Sequence, residues 1–175
     1  MARREALREL QSRLAERLQG ARSQAETAAW LAVEAGGQGL LLPLGQAGEI
    51  FPLAPLVPVP HTLPWFLGVA NLRGRLHGVV DLATFLGLRG AARGEAVREQ
   101  ARLVAFNPAL DCNCALLVDR LLGLRSQEQL RADQADDRPR PAFAAQRLVD
   151  ASGRRWQELQ LAELAADEVF LRIAR

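Results

Sequence analysis

A mainly β fold is what this sequence predicts, and three observations predict it. Short apolar runs recur along the chain, each bounded by glycine, proline or aspartate. Turn signals separate neighbouring runs, at Gly36-Gly37 and again at Asp150-Ala151-Ser152-Gly153. Prolines at 52, 55, 58, 60 and 64 make that stretch an extended edge or a loop, because proline removes a ladder donor. Many short strands with closely spaced turns argue for a sandwich or a barrel.

The elements follow in order. Residues 2–19 should form an amphipathic helix, since Leu7, Leu10, Leu14 and Leu18 recur at three- and four-residue steps, with Gly20 as a stop. That leucine stripe can dock on its own domain or on a partner helix. We divide the chain into this helix, 1–24, and a β domain, 25–175. Strands are expected at 30–35, 40–44, 66–70, 76–82, 101–107, 114–119, 121–125, 146–149 and 155–161. The polar segments 89–100 and 126–141 read as mobile loops. Val79-Val80-Asp81 leading to Leu86-Gly87-Leu88 is echoed by Leu117-Val118-Asp119 leading to Leu122-Gly123-Leu124, a weak repeat that favours two lobes. Asp81, Asp119 and Asp150 each end a strand and are expected to bond the backbone of the turn that closes it.

The most informative block is 64–88. Two apolar runs flank Asn71-Leu72-Arg73-Gly74, with glycine supplying positive φ at the end of the turn. Such a bend presents Arg73 in a defined direction, a geometry suited to contacting a partner.

This block resembles the signature of the CheW family of chemotaxis coupling proteins. The matching residues are Pro64, Phe66, Gly68, Val69, Asn71, Leu72, Arg73 and Gly74, then Val79-Val80-Asp81-Leu82. Glu49-Ile50, the strand 114–119 and Leu121–Leu124 are similar to further family segments, so the resemblance covers roughly residues 28–165. The start at Trp30 and the segment 59–66 look most like the branch associated with type IV pili.

The resemblance implies two small SH3-like β-barrel lobes and a non-catalytic adaptor. Such an adaptor joins the regulatory domain of a CheA-type histidine kinase to the cytoplasmic tip of a methyl-accepting chemoreceptor, here in control of twitching motility. It places receptor-binding positions at Ala47, Gly68, Arg73 and Leu124, and a turn presenting the site at Asn71, Leu72 and Gly74. Ala47 with Gly48 replaces a bulkier apolar pair, Gly78 stands where proline is usual, and Ala115 where glycine is usual. Alternatively, Arg73 is a turn residue paired with a nearby carboxylate.

Composition excludes other classes. Forty-nine per cent apolar and 24% charged residues with a net charge of +2 suit a globular domain and give no electrostatic drive towards nucleic acid. All 22 basic residues are arginine, spread among 20 acids, which reads as compositional bias. The runner-up function is nevertheless an arginine-rich nucleic-acid-binding β-barrel, which would need exposed aromatics for stacking. A small hydrolase would have to use His61 or His77, yet no serine lies in a nucleophile elbow. Cys112 and Cys114 have no zinc-ligand spacing, and we expect no metal and no cofactor. Without a membrane-length apolar run or a signal-like amino terminus, we expect a cytoplasmic address, at most held at the inner membrane face by a receptor array, with no direct insertion.

Overall fold

The computed structural model describes residues 9, 12–17, 19–20, 28–88, 95–133 and 139–175. The strands are β1 (Ala28–Ala35), β2 (Gln38–Pro43), β3 (Ala47–Pro52), β4 (Phe66–Leu72), β5 (Arg75–Asp81), β6 (Arg102–Phe106), β7 (Cys114–Val118), β8 (Arg120–Ser126), β9 (Leu130–Ala132), β10 (Ala144–Asp150) and β11 (Arg155–Leu159). Five of them form one sheet, in the order β3-β6-β7-β5-β4, and six the other, in the order β8-β1-β2-β11-β10-β9.

Three apolar cores explain why the central strands read as unbroken hydrophobic runs. On β7, Ala115 and Leu117 face a core made by the five-stranded sheet with Ala54, Leu56 and Ala101. Cys114, Leu116 and Val118 face a larger core shared by both sheets. On β1, Trp30 and Ala32 face the six-stranded sheet's own core while Leu31, Val33 and Ala35 face the shared one. Strands covered on both faces lose the alternation of half-exposed strands. The five-stranded sheet's core is rich in alanine (Ala70, Ala101, Ala105, Ala115), as the inside of a tight barrel requires. Two lobes, each curled on its own core and joined through a third, are the outcome.

The five-stranded lobe closes through its proline segment. Val57 N–H donates to Val69 O at 2.8 Å and Val69 N–H returns a bond to Val57 O at 2.9 Å, so one bridge carries the chain after β3 onto the far edge strand β4. Pro52 ends β3 at the sheet's other edge, where a missing donor costs nothing.

Four expectations change. The segment expected as a mobile loop at 126–141 contains a helical turn (Gln127–Gln129) and β9, which pairs with β10. Residues Glu95–Gln100 of the other expected loop are helical, and 89–94 lie outside the described residues. The last strand stops at Leu159, because the chain turns into the short helices Leu161–Ala166 and Glu168–Leu171, which bury Leu161, Leu164 and Phe170. The internal echo is not one copy per lobe: β5 and β7 are parallel neighbours in the same sheet, and the first copy runs into the helix Leu82–Phe85 while the second runs into β8. In the expected amino-terminal helix, residues 12–17, 19 and 20 are helical and exposed, Leu14 at 60%, so Gly20 is helical and not a stop; Leu7, Leu10 and Leu18 lie outside the described residues.

The carboxy terminus straps the lobes together. Phe170 packs among Trp65, Phe85 and Phe106 at ring-centroid distances of 6.1, 5.2 and 6.0 Å. Leu63 N–H then donates to Ile173 O at 2.8 Å and Arg175 N–H to His61 O at 2.9 Å.

Candidate functional site

The β4–β5 hairpin positions Arg73. Leu72 pairs with Arg75, which leaves Arg73-Gly74 as a two-residue loop. Both residues have positive φ, 49° and 79°, the geometry whose twist matches that of the flanking strands. The sequence placed that conformation at Gly74; the structure extends it to Arg73, which is not a residue that adopts it freely. Asn71 Oδ1 accepts from Gly74 N–H at 2.8 Å and closes the turn.

The Arg73 side chain points outward, 77% exposed, and its guanidinium meets Glu49 Oε1 of β3 at 2.7 Å. Glu49 is itself 43% exposed, so the pair lies in water and contributes little to stability. Ile50, Leu53, Val57 and Leu76 are large apolar side chains left exposed on the same lobe.

The other positions singled out from the sequence fall in different settings. Gly68 is buried at φ 127°, and a Cβ there would collide with the Val57 carbonyl oxygen, so barrel closure alone demands glycine. Ala47 pairs with Phe106 at the start of β3 and packs against the shared core. Gly48 beside it admits no side chain, because a Cβ would stand 2.7 Å from Phe106 O. Leu124 lies on β8 of the other lobe, opposite Leu31, and also packs against the shared core. Gly78 sits under the Phe66 ring, with space for a Cβ only at 3.0 Å. Arg73 and Glu49 are thus brought together, while Ala47 and Leu124 border the seam between lobes. Glu49 is the carboxylate that the alternative reading of Arg73 required; the sequence offered it only as a family match beside Ile50.

The strand-end aspartates are hydrogen-bonded. Asp81 Oδ1 accepts from Thr84 N–H at 3.3 Å at the start of its helix. Asp119 Oδ2 accepts from Gly36 N–H at 2.7 Å, so it reaches the β1–β2 turn. Asp150 accepts from Ser152 Oγ at 2.6 Å, from Trp156 Nε1 at 3.0 Å, and from the backbone of Ser152 and Arg154. The Ser152 hydroxyl first, then the Trp156 indole, hold its carboxyl down at about 2. Glu34 is likewise held below the usual carboxylate range, chiefly by Arg120, which grips it through two bonds of 2.9 and 3.0 Å.

Cys112 and Cys114 are free thiols, both pushed up chiefly by burial, Cys114 far more. His77 is buried with Nδ1 3.1 Å from Arg75 O, and His61 is exposed. No cluster of His, Cys, Asp or Glu able to hold a metal occurs among the described residues. No described helix is long and apolar enough to cross a membrane. A cleft of about 460 Å³ opens among Leu40, Trp65, Phe85, Phe143 and Arg147, and none of the expected receptor-binding positions lines it.

Comparison with known proteins places this architecture. The CheW-like domain family matches residues 29–169. Protein PilI of Pseudomonas aeruginosa is 33% identical over 90 residues, a stretch covering 51% of this chain and 48% of that protein. The matched stretch thus spans about half the length of that relative. The crystal structure of the scaffolding protein TtCheW from Thermoanaerobacter tengcongensis superposes with a TM-score of 0.62 at 15% identity, covering 76% of this chain and 88% of that one. At that identity the likeness establishes the fold.

Proposed function

The chain belongs to the CheW-like domain family, and from that membership we propose that it is a non-catalytic adaptor coupling a methyl-accepting chemoreceptor to a CheA-type histidine kinase. Its likeness to PilI supports a role in type IV pilus twitching motility, at a cytoplasmic address. The observation that carries the reading is Arg73: a guanidinium 77% exposed on a two-residue turn whose backbone is itself strained. A strained residue kept at a turn tip is better accounted for by what it touches than by what it stabilises.

In this reading the receptor's helical tip lies along the seam. Ala47 and Leu124 supply apolar contact, and Arg73, released from or shared with Glu49, donates to receptor carbonyls or carboxylates. Gly68 acts by letting β4 approach Val57. The small residue at 47, where the family is bulkier, suits a receptor tip of different shape, while Gly48 is required by its approach to Phe106. The kinase regulatory domain occupies another face. A change in receptor packing then shifts the kinase between states by as much as the adaptor binds those states differently.

Co-purification from the native host tests the proposal. A histidine kinase and a chemoreceptor recovered together with this chain support it, whereas recovery of neither, or retention of nucleic acid in their place, contradicts it.

A further inference from the structure

Gln46 sits where the chain passes from β2 of one sheet to β3 of the other, one residue before Ala47. Its backbone is tied at the crossing. Gln46 N–H donates to Pro43 O, and Gln46 O accepts from Asn107 N–H, each at 2.9 Å. Its side chain reaches the carboxy-terminal part of the other lobe. Nε2 donates to Gln160 Oε1 at 2.7 Å, and Oε1 accepts from Ala162 N–H at 3.1 Å.

The chain of bonds continues inward. Gln160 Nε2 donates to Glu158 Oε1 at 3.0 Å, and the same oxygen accepts from Trp30 Nε1 at 2.8 Å. Glu158 and Trp30 are each 6% exposed, inside the six-stranded lobe. The direction of every bond is forced from both ends. A carboxylate offers only acceptors, so Gln160 must turn its NH₂ to Glu158 and its oxygen to Gln46. A backbone N–H offers only a donor, so Gln46 must turn its oxygen to Ala162. Both amides are left one orientation, which fixes the crossing rigidly.

We propose that the line Trp30–Glu158–Gln160–Gln46 is a positioning device for the receptor-facing edge. It sets where β3 begins, hence where Ala47 and Glu49 stand, and through Glu49 where the Arg73 guanidinium is held. The assignment deepens the adaptor reading of that edge and rests on it for its meaning, but the device itself is a property of the free protein.

Replacing a donor in the line by an acceptor tests it. Gln46→Glu puts an acceptor where a donor is needed; Gln160 can answer only by flipping, which aims its oxygen at Glu158. Adding Gln160→Lys to the same chain puts only donors at position 160, so one ammonium serves both the new carboxylate at 46 and Glu158 Oε1, while Trp30 keeps its bond to that oxygen and every group is again paired. The readouts are the backbone amide signals of Arg73 and Gly74 and the exchange rate of the Trp30 indole N–H, by NMR on the free full-length chain. Gln46→Glu should displace the Arg73 and Gly74 signals and speed indole exchange about tenfold, the order expected for one unpaired buried group. The double variant should return the signals, and bring exchange to within about threefold of the parent. Unmoved Arg73 and Gly74 signals in Gln46→Glu, or a double variant no closer to the parent than the single one, would overturn the proposal. Because no receptor is involved, failure to capture one counts against the adaptor reading and leaves this result standing.

Discussion

Replacing Arg73 with asparagine separates what the turn needs from what a partner needs. Asparagine is the preferred first residue of a two-residue turn of this type, because it tolerates positive φ where arginine resists it. At φ 49° the arginine backbone carries roughly 1 kcal/mol of strain that asparagine largely relieves. Against this stands the Glu49 ion pair, exposed at 77% and 43%, whose loss costs about 0.5 kcal/mol after solvent screening. The two nearly cancel, so Arg73→Asn should leave stability within about 1 kcal/mol of the parent, a Tm shift of at most about 2–4 °C for a domain of this size. Arg73→Ala is the poorer probe, since it loses the ion pair and keeps the strain. If Arg73 donates charged hydrogen bonds to a receptor, its removal should weaken binding by about 1.5–3 kcal/mol, roughly ten- to 150-fold. Thermal denaturation and calorimetric titration with the receptor recovered by co-purification measure both quantities on the same preparations. A melting temperature lowered by 10 °C or more, a drop of about 3 kcal/mol on the scale used above, with binding lost in proportion, would refute the argument and make Arg73 a structural residue. So would undiminished affinity.

Three further outcomes are expected. Gly68→Ala forces a Cβ into the Val57 carbonyl at a φ of 127° and should cost about 3 kcal/mol in denaturant titration, because it unseats the bridge that closes the five-stranded lobe. Phe170→Ala empties the aromatic cluster around Trp65, Phe85 and Phe106 and should cost roughly 3–5 kcal/mol by the same measurement. Asp150, held down at about 2 against an ordinary value of 3.8, adds stability that is complete above about pH 4 and is lost as the pH falls towards 2. Asp150→Asn should therefore flatten the acid limb of a stability–pH profile, and an unchanged limb would show that other carboxylates govern it.

Much of the fold was legible because both faces of the central strands are covered. That burial turned β2, β6 and β7 into apolar runs and β1 into one broken only by Glu34, and Gly36-Gly37 and Asp150–Gly153 marked the β1–β2 and β10–β11 hairpins. The proline segment was correctly excluded from any central strand, and its use as the closing bridge followed only from the pairing of Val57 with Val69. Elements of three or four residues left too little periodicity to find, which is why β9 and the helix Glu168–Leu171 were missed. The turn at Arg73 was visible in Asn71 and Gly74, but its shift of one residue was not, since Arg-Gly is not the usual pair for that geometry. Gln46 and Gln160 gave no signal at all. Isolated glutamines have no pattern, and only the meeting of three distant segments gives them a role.

The contact itself is the decisive measurement. Leu76 is 64% exposed on β5, just after the Arg73 turn, and a photo-crosslinking residue placed there in vivo samples whatever lies against that tip. The account predicts a crosslink to the helical tip of a chemoreceptor, lost when Arg73→Asn is added to the same chain. Crosslinks only to the kinase, or a receptor crosslink indifferent to Arg73, would contradict it.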